Sequence, residues 1–258
     1  MEIDILTIFP GMFYGALSES ILGRAQENGI LSIRNIRDFA AGRHRVVDDY
    51  PFGGGHGMVM KPEPIAAAIE HAKLCRASLV VDEPRVILTT PAGRTFTQDV
   101  ARELAQVSHL IILCGHYEGI DERVSSLVTD EISIGDYVLT GGEIPAMVIV
   151  DATARMIPGV VGETQSAVED SFFGDLLDHP HYTRPRVWRG LEVPEVLVSG
   201  DHERIRRYRR REALRRTLER RPDLIAKANL TSSDLEILCE IKQSGDGAKA
   251  RSGDGRLP

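Results

Sequence analysis

Three glycine-containing stretches, TTPAGR (89–94), CGHYEG (114–119) and IGDYVLTGG (134–142), each follow a run of residues with strand character. In a parallel α/β sheet the carboxyl ends of the strands converge on a ligand crevice. Glycine at such a place lets the backbone approach a ligand and present its N–H and C=O groups. One glycine after a strand signals only a turn, whereas three such stretches in succession point to a backbone-lined pocket. Neither G-x-G-x-x-G nor G-x-x-x-x-G-K-[ST] occurs in the chain, so no phosphate cradle is expected. An adenosine-type ligand without phosphates suits such a pocket better than a nucleoside triphosphate.

A second cluster, RHRVVDDYPFGGGHGMVM (43–60), joins Arg43, His44 and Arg45 to Asp48, Asp49 and a glycine run that includes Gly57. Cation-flanked glycine loops commonly close over substrates, and a solvated hairpin is the plainer alternative. Arg155 falls near the end of an apolar helical pattern, where the carbonyl end of the helix dipole favours a cation. Glu169 and Asp170 precede a helix expected to begin near Ser171, where capping is the ordinary role of such residues. On local pattern alone capping is the leading role for both, with a catalytic part for Asp170 as the minority reading.

The formal charge of the 258 residues is −7, which would argue against nucleic acid if it were evenly spread. It is not: RIRRYRRREALRRTLERR (204–221) holds ten arginines and two glutamates, a local +8, leaving −15 on the rest. A basic helical stretch on an acidic body suggests a phosphate-contacting surface. Cys75, Cys114 and Cys239 form no C-x-x-C pair and are odd in number, so they are expected as reduced cysteines of a cytosolic protein, with no metal site. The apolar runs are too short to span a bilayer, and the acidic start MEIDILTIFP does not resemble a signal peptide, so a cytoplasmic location is expected.

Strand-like and helix-like segments alternate over the first three-fifths of the chain. Ile3, Ile5 and Ile8 lie in a β-branched run that Pro10 ends, and Phe13, Leu17, Ile21 and Ala25 recur every fourth residue as one helix ending near Asn28-Gly29. Further strands are expected at Leu31–Ile36, 85–90, 109–115 and Ile132–Leu139. Further helices are expected from Pro64, from the Thr97 cap, over 120–128, and from the turn carrying Pro145 to about Met156. The expected fold is α/β, a parallel sheet with helices on both faces, over residues 1–157. A linker over 158–171, a small all-α domain over 172–243 and a disordered tail over 244–258 complete the expectation.

The motifs RHRVVDDYPFGGGHGM, CGHYEGIDERV, SIGDYVLTGGE, IPGVVG, EDSF and LLDHPHYTRP follow one another in the order found in the bacterial tRNA (guanine-N1)-methyltransferase family, and the chain resembles that family over about residues 1 to 240. The resemblance implies a trefoil knot, which no hydrophobic period could reveal and which general topology rules disfavour. It implies S-adenosylmethionine as methyl donor, held by Leu88, Thr90, Pro91, Gly93, Gly115, Tyr117, Glu118, the run Ile134, Gly135, Asp136, Tyr137, Val138 and Leu139, then Gly141, Gly142 and Pro145. It implies methylation at N1 of guanosine 37, 3′ of the tRNA anticodon. Arg43, His44, Asp48, Asp49, Gly57, Ser166, Arg207, Arg210 and Arg211 would contact the RNA. A homodimer with a shared active site and dependence on Mg2+ are implied as well, although the sequence shows no metal cage.

Guanine N1 carries a proton at neutral pH, so a general base is needed, and by resemblance that base is Asp170. Loss of the proton moves negative charge onto O6, which Arg155 would stabilise. Two positions depart from the family pattern: His116 stands where arginine is more common, and Phe52 where tyrosine is. Two alternatives remain open to the sequence. One is another knotted methyltransferase acting on ribosomal RNA or a ribose hydroxyl, and the other is a non-catalytic RNA-binding protein that keeps the fold.

Overall fold

The computed structural model describes residues 1–76, 82–157, 171–172 and 175–252. The chain divides into two compact units, Met1–Thr164 and Gln165–Pro258. In the first unit, strands β1 (Glu2–Thr7) and β2 (Leu31–Asn35) belong to one sheet, and the two-residue strands β3 (Asp48–Asp49) and β4 (Val59–Met60) form a separate hairpin. Strands β5 (Arg85–Thr95), β6 (His109–Cys114) and β7 (Asp130–Ser133) complete the sheet. Its order is β2-β1-β6-β5-β7 and every pairing is parallel.

All six residues of β6 are buried, as a central parallel strand covered on both faces requires. Strand alternation sends Leu110, Ile112 and Cys114 to one face, against helices α1 (Phe13–Ala16), α2 (Ser20–Glu27), α4 (Gln98–Leu104) and α5 (Glu143–Ala154). Ile111 and Leu113 go to the other, against α3 (Pro62–Arg76) and the 3-10 turn at Glu122–Leu127. The expected α/β sheet with helices on both faces is thus present. Among the described residues no helix is long and apolar enough to cross a membrane.

Several expectations are corrected in detail. The single helix expected from Phe13 to Ala25 is broken at Leu17–Glu19, where the Ser18 hydroxyl bonds the Tyr14 carbonyl and competes with the helical ladder. The helix expected over 120–128 is a 3-10 turn, and the strand expected over Ile132–Leu139 ends at Ser133. Strand β5 runs five residues past its expected end. Its pairing with β7 jumps from Thr89↔Ile132 to Arg94↔Ile132, so Thr90–Gly93 bulges out of the ladder. Asp4 lies buried where β1 meets the sheet, accepting from His109 Nε2 at 2.9 Å and Arg34 Nε at 2.6 Å. Burial pushes its carboxyl up, but those two donors outweigh it and hold the group below its ordinary value.

The second unit contains helices α6 (His202–Arg220), α7 (Pro222–Ile225) and α8 (Ser232–Ser252). It is not all-α as expected, because strands β8 (Val187–Trp188) and β9 (Leu191–Glu192) form a small antiparallel hairpin. Its two turn residues, Arg189 and Gly190, both have positive φ (51° and 78°), the signature of the primed turn that matches strand twist. Helix α8 also continues to Ser252, into the segment expected to be disordered. Asp201 caps α6 by accepting from the Glu203 and Arg204 amides. Leu176, Leu214, Ile237 and Leu238 form the core.

Beside that core, Arg210 grips the buried Asp234 through Nε to Oδ1 (2.7 Å) and Nη2 to Oδ2 (2.9 Å), while the Thr231 amide and hydroxyl donate to the same carboxylate. The guanidinium holds the Asp234 carboxyl far below the usual carboxylate range. A depressed folded-state pKa contributes stability above the unfolded value, and that stability is lost as pH falls toward the folded one. Asp234→Ala is therefore expected to cost about 2 kcal/mol, the scale of charge-assisted hydrogen bonds. Thermal melts followed by circular dichroism should show a lower midpoint at pH 7 and a smaller gap from wild type below about pH 4. A gap independent of pH would remove the carboxylate from the explanation.

Candidate active site

The three glycine stretches converge at the carboxyl ends of β5, β6 and β7 on a cavity of about 350 Å³. Strand β5 and its bulge supply Leu88, Thr89, Thr90 and Pro91. The turn after β6 supplies Gly115, His116, Tyr117, Glu118, Gly119 and Ile120. The third wall begins at Ile132 and Ser133, continues through Ile134, Gly135 and Tyr137–Gly142, and ends at Pro145 in the first turn of α5.

The floor is built by close backbone approach. The Gly142 amide donates to the Gly115 carbonyl at 2.8 Å, which ties the third stretch to the second. The buried Thr89 hydroxyl donates to the Leu113 carbonyl at 3.2 Å and lies 3.4 Å from the Gly142 carbonyl, tying in the first. A Cβ at Gly142 would stand 2.0 Å from Thr89 Oγ1 and 2.9 Å from both Cys114 Cα and the Gly115 nitrogen. Only a residue without a side chain lets these strands meet there.

Directly beneath lies Glu143, the first residue of α5 and 1% exposed. Its Oε1 accepts from the Thr7 hydroxyl at 2.8 Å, and its Oε2 lies 3.7 Å from Nδ1 of His116, a buried nitrogen without a hydrogen-bond partner. Burial, assisted by the Glu143 charge, pushes the Cys114 thiol well up, so this thiol is not a nucleophile. The His116 ring packs edge-on against Phe9 and Tyr117, with centroids 4.7 and 4.9 Å away. Tyr117 has φ +59°, a left-handed conformation uncommon for a residue with a side chain and concentrated at functional sites.

Of the expected donor-binding residues, Leu88, Thr90, Pro91, Gly115, Tyr117 and Glu118 line the cavity, as do Ile134, Gly135, Tyr137, Val138, Leu139, Gly141, Gly142 and Pro145. Gly93 and Asp136 do not. Gly93 sits at the back of the bulge, where an added Cβ would be 2.3 Å from the Glu131 carbonyl carbon and the Ile132 nitrogen, so it serves the β5–β7 approach. Beyond the residues the resemblance named, Thr89, His116, Gly119, Ile120, Ile132, Ser133 and Thr140 also line the cavity. The available signal for Thr89 was the change from the apolar run Val86–Leu88 to two threonines where the strand reaches its glycine stretch.

The loop 43–60 reaches the same place by its far end. The Glu118 amide donates to the Met58 carbonyl (3.1 Å), the Met60 amide to Gly119 (2.9 Å) and the Asp121 amide to Met60 (3.0 Å). Gly57 lies so close to Glu118 that a Cβ would be 2.5 Å from its Cγ. Asp48 and Asp49 form β3, while Arg43 and His44 are exposed on the loop and line no wall of the cavity. Arg155 is the exposed C-cap of α5, with its amide on the Asp151 carbonyl. Asp170 and Ser166 lie outside the described residues.

In the second unit the basic stretch divides. Arg210 is engaged by Asp234, Arg215 by Glu212 and Glu219, and Arg207 lies 3.7 Å from Glu240, whereas Arg211 is exposed. Arg210, expected to contact RNA, is thus occupied in holding α8 to α6.

A backbone-lined cavity with apolar walls, no lysine or arginine in its lining and no phosphate cradle can hold an adenosine group by main-chain hydrogen bonds. Residues 1–227 match a family profile described as tRNA (Guanine-1)-methyltransferase TrmD. The chain is 60% identical over 245 residues to a tRNA (guanine-N(1)-)-methyltransferase of Desulforamulus reducens, covering 94% of this chain and 95% of the relative. It is 56% identical to the protein of that name from Dictyoglomus turgidum, over 94% of this chain and 97% of the relative. With the Geobacter sulfurreducens protein of that name, identity is 57% over 95% of this chain and 100% of the relative.

Proposed function

The chain belongs to the tRNA (guanine-1)-methyltransferase family and methylates N1 of a guanine in tRNA, and from that premise we propose that the guanine is position 37, just 3′ of the anticodon, and the methyl donor S-adenosylmethionine. The observation that carries the donor assignment is the cavity itself, whose floor is backbone and whose lining has no cationic side chain for a phosphate. The donor supplies an activated methyl group on a sulfonium centre. The trefoil knot implied by the family would thread the three stretches that form this cavity.

The protein's own work is then alignment and proton handling. The walls hold the donor so that N1 approaches in line, which is worth far more than any single contact. Asp170 takes the N1 proton, and Arg155 stabilises the charge that develops on O6. Exposed arginines of α6 such as Arg211 fix the RNA through its phosphates without specifying sequence. The proposal includes a homodimer in the cytoplasm. Among the described residues the first unit brings no three metal-ligating side chains together, so any Mg2+ would rely on one or two carboxylates and on oxygens of the tRNA, and no step is routed through it.

The test is transfer of labelled methyl from S-adenosylmethionine to an unmodified tRNA transcript with G37, with the nucleoside identified by mass spectrometry. N1-methylguanosine that disappears when G37 is replaced by adenosine is the expected product. A methylated ribose, or label in a transcript without G37, would sink the position and favour another knotted RNA methyltransferase.

A further inference from the structure

The motif LLDHPHYTRP borders a second cavity, of about 440 Å³, that lies wholly within the second unit and that the methyl-transfer chemistry leaves unexplained. Its chain is tightly held. Arg216 Nη1 on α6 donates to the Asp178 carbonyl at 3.1 Å, and the Leu177 amide donates to the Thr217 hydroxyl at 2.9 Å. Asp178 then organises the three residues after it, accepting from the His179 amide (2.6 Å) and from both the His179 and His181 rings (2.5 and 2.6 Å). Both carboxylate oxygens are engaged in this way, which explains the compact Asp178–His179–His181 group without a metal ion. The segment beyond it is therefore displayed from a fixed base.

That segment combines aromatic and cationic side chains, Tyr182, Arg184, Arg186 and, on the adjoining hairpin, Trp188 with the Arg189 guanidinium 4.7 Å from its ring centroid. Tyr182 is 47% exposed and Trp188 56%, so both present aromatic surface to solvent. Tyr182, Arg184 and Arg186 line the cavity together with Arg209 of α6, and Val193, Leu197, Val198 and Ile205 supply its apolar lining. No lining residue is acidic. Among the described residues Arg184, Arg186 and Arg209 enter no ion pair, in contrast to Arg210 and Arg215 on the same basic helix. On α6, burial first and then the neighbouring Tyr182 phenol push the Tyr208 hydroxyl up to about 12, which places the two rings' hydroxyls together.

We propose that this cavity is a nucleotide subsite for the tRNA strand, with one unstacked base against Tyr182 and its flanking phosphates on Arg184, Arg186 and Arg209. An apolar wall, an aromatic face and uncommitted guanidiniums are the requirements of single-stranded RNA, whose splayed bases stack on aromatic rings while cations track the backbone. The charge is complementary, and a volume of this size accommodates a small polar-aromatic ligand. The inference rests on the tRNA reading above and deepens it.

The experiment measures dissociation constants of fluorescein-labelled unmodified tRNA by anisotropy over a series of salt concentrations, alongside methyl-transfer kinetics. Tyr182→Ala is expected to weaken tRNA about tenfold or more, the scale of one lost base–aromatic stack, while Tyr182→Phe keeps the stack and stays within about threefold. The double variant Arg184→Ala/Arg186→Ala should lower the salt slope by about 2, one unit for each lost phosphate contact. In both, KM for tRNA rises while kcat and the affinity for S-adenosylmethionine hold. A Tyr182→Ala protein that binds tRNA with wild-type affinity, or a double variant with an unchanged slope, overturns the subsite. Wild-type protein that binds tRNA but makes no N1-methylguanosine would instead count against the proposed function, and the binding series would still decide the subsite.

Discussion

Asp170→Asn is expected to slow methyl transfer to tRNA by about 10²- to 10⁴-fold near neutral pH, the range that a positioned general base contributes. Guanine N1 holds its proton there and offers no lone pair to the methyl carbon until the proton leaves. Asparagine keeps the shape and a hydrogen-bonding oxygen but cannot accept that proton, so binding of donor and of tRNA should stay within about threefold while kcat falls. The pH dependence separates this from a positional defect. In the variant only the small fraction of guanine already ionised can react, so its residual rate should climb about tenfold per pH unit through the neutral range, more steeply than wild type. Arg155→Ala should also lower kcat, by about 10²-fold or more, because charge on O6 would lose its guanidinium. Single-turnover measurements with both substrates saturating report the step itself. An Asp170→Asn enzyme as fast as wild type would remove the base from the mechanism, and ribose methylation, which needs no base at guanine N1, would become the better reading.

The parallel sheet was legible in the sequence because its central strands carry a plain signal. HLIILC is apolar at almost every position, and a strand buried on both faces has no polar side to show. The pocket was legible for the related reason that glycines cluster where three strands end. What was not legible depends on pairing. The bulge at Thr90–Gly93 exists because β5 meets β7 in two registers, and nothing local to TTPAGRT announces the second. Gly93 accordingly reads as a ligand contact from its place in the row, whereas its missing side chain makes room for the neighbouring strand. Arg210 is a similar case: in RRYRRRE it is one cation among many, and only the fold brings Asp234 against it. The hairpin at Val187–Glu192 was not legible, since its turn pair Arg-Gly lacks the Asn or Asp that marks a primed turn and two-residue strands give no alternation. The expected base Asp170 belongs to another category. Its assignment came from family resemblance, and it lies outside the described residues.

Gly142→Ala should abolish donor binding in the accessible range, an expected loss of at least about a hundredfold in affinity by calorimetry, with a drop in stability of about 1–3 kcal/mol from overpacking. The added methyl would meet Thr89 Oγ1 at 2.0 Å, and that hydroxyl is buried and hydrogen-bonded to Leu113, so it cannot simply swing into solvent. Moving the threonine is also not enough. Cys114 Cα and the Gly115 nitrogen would remain 2.9 Å away, and these are backbone atoms of the second stretch. Relief therefore requires the third stretch to lift off the second, which breaks the 2.8 Å bond from the Gly142 amide to the Gly115 carbonyl and opens the cavity floor. Two companions test the account. Gly11→Ala, where nothing lies within 4 Å of the added carbon, should leave both melting and donor affinity unchanged. Gly142→Ala combined with Thr89→Ala removes the nearest clash but neither backbone contact, so it should recover little donor affinity. Full recovery in that double variant would mean that the threonine side chain, rather than the meeting of the three strands, sets the shape of the floor.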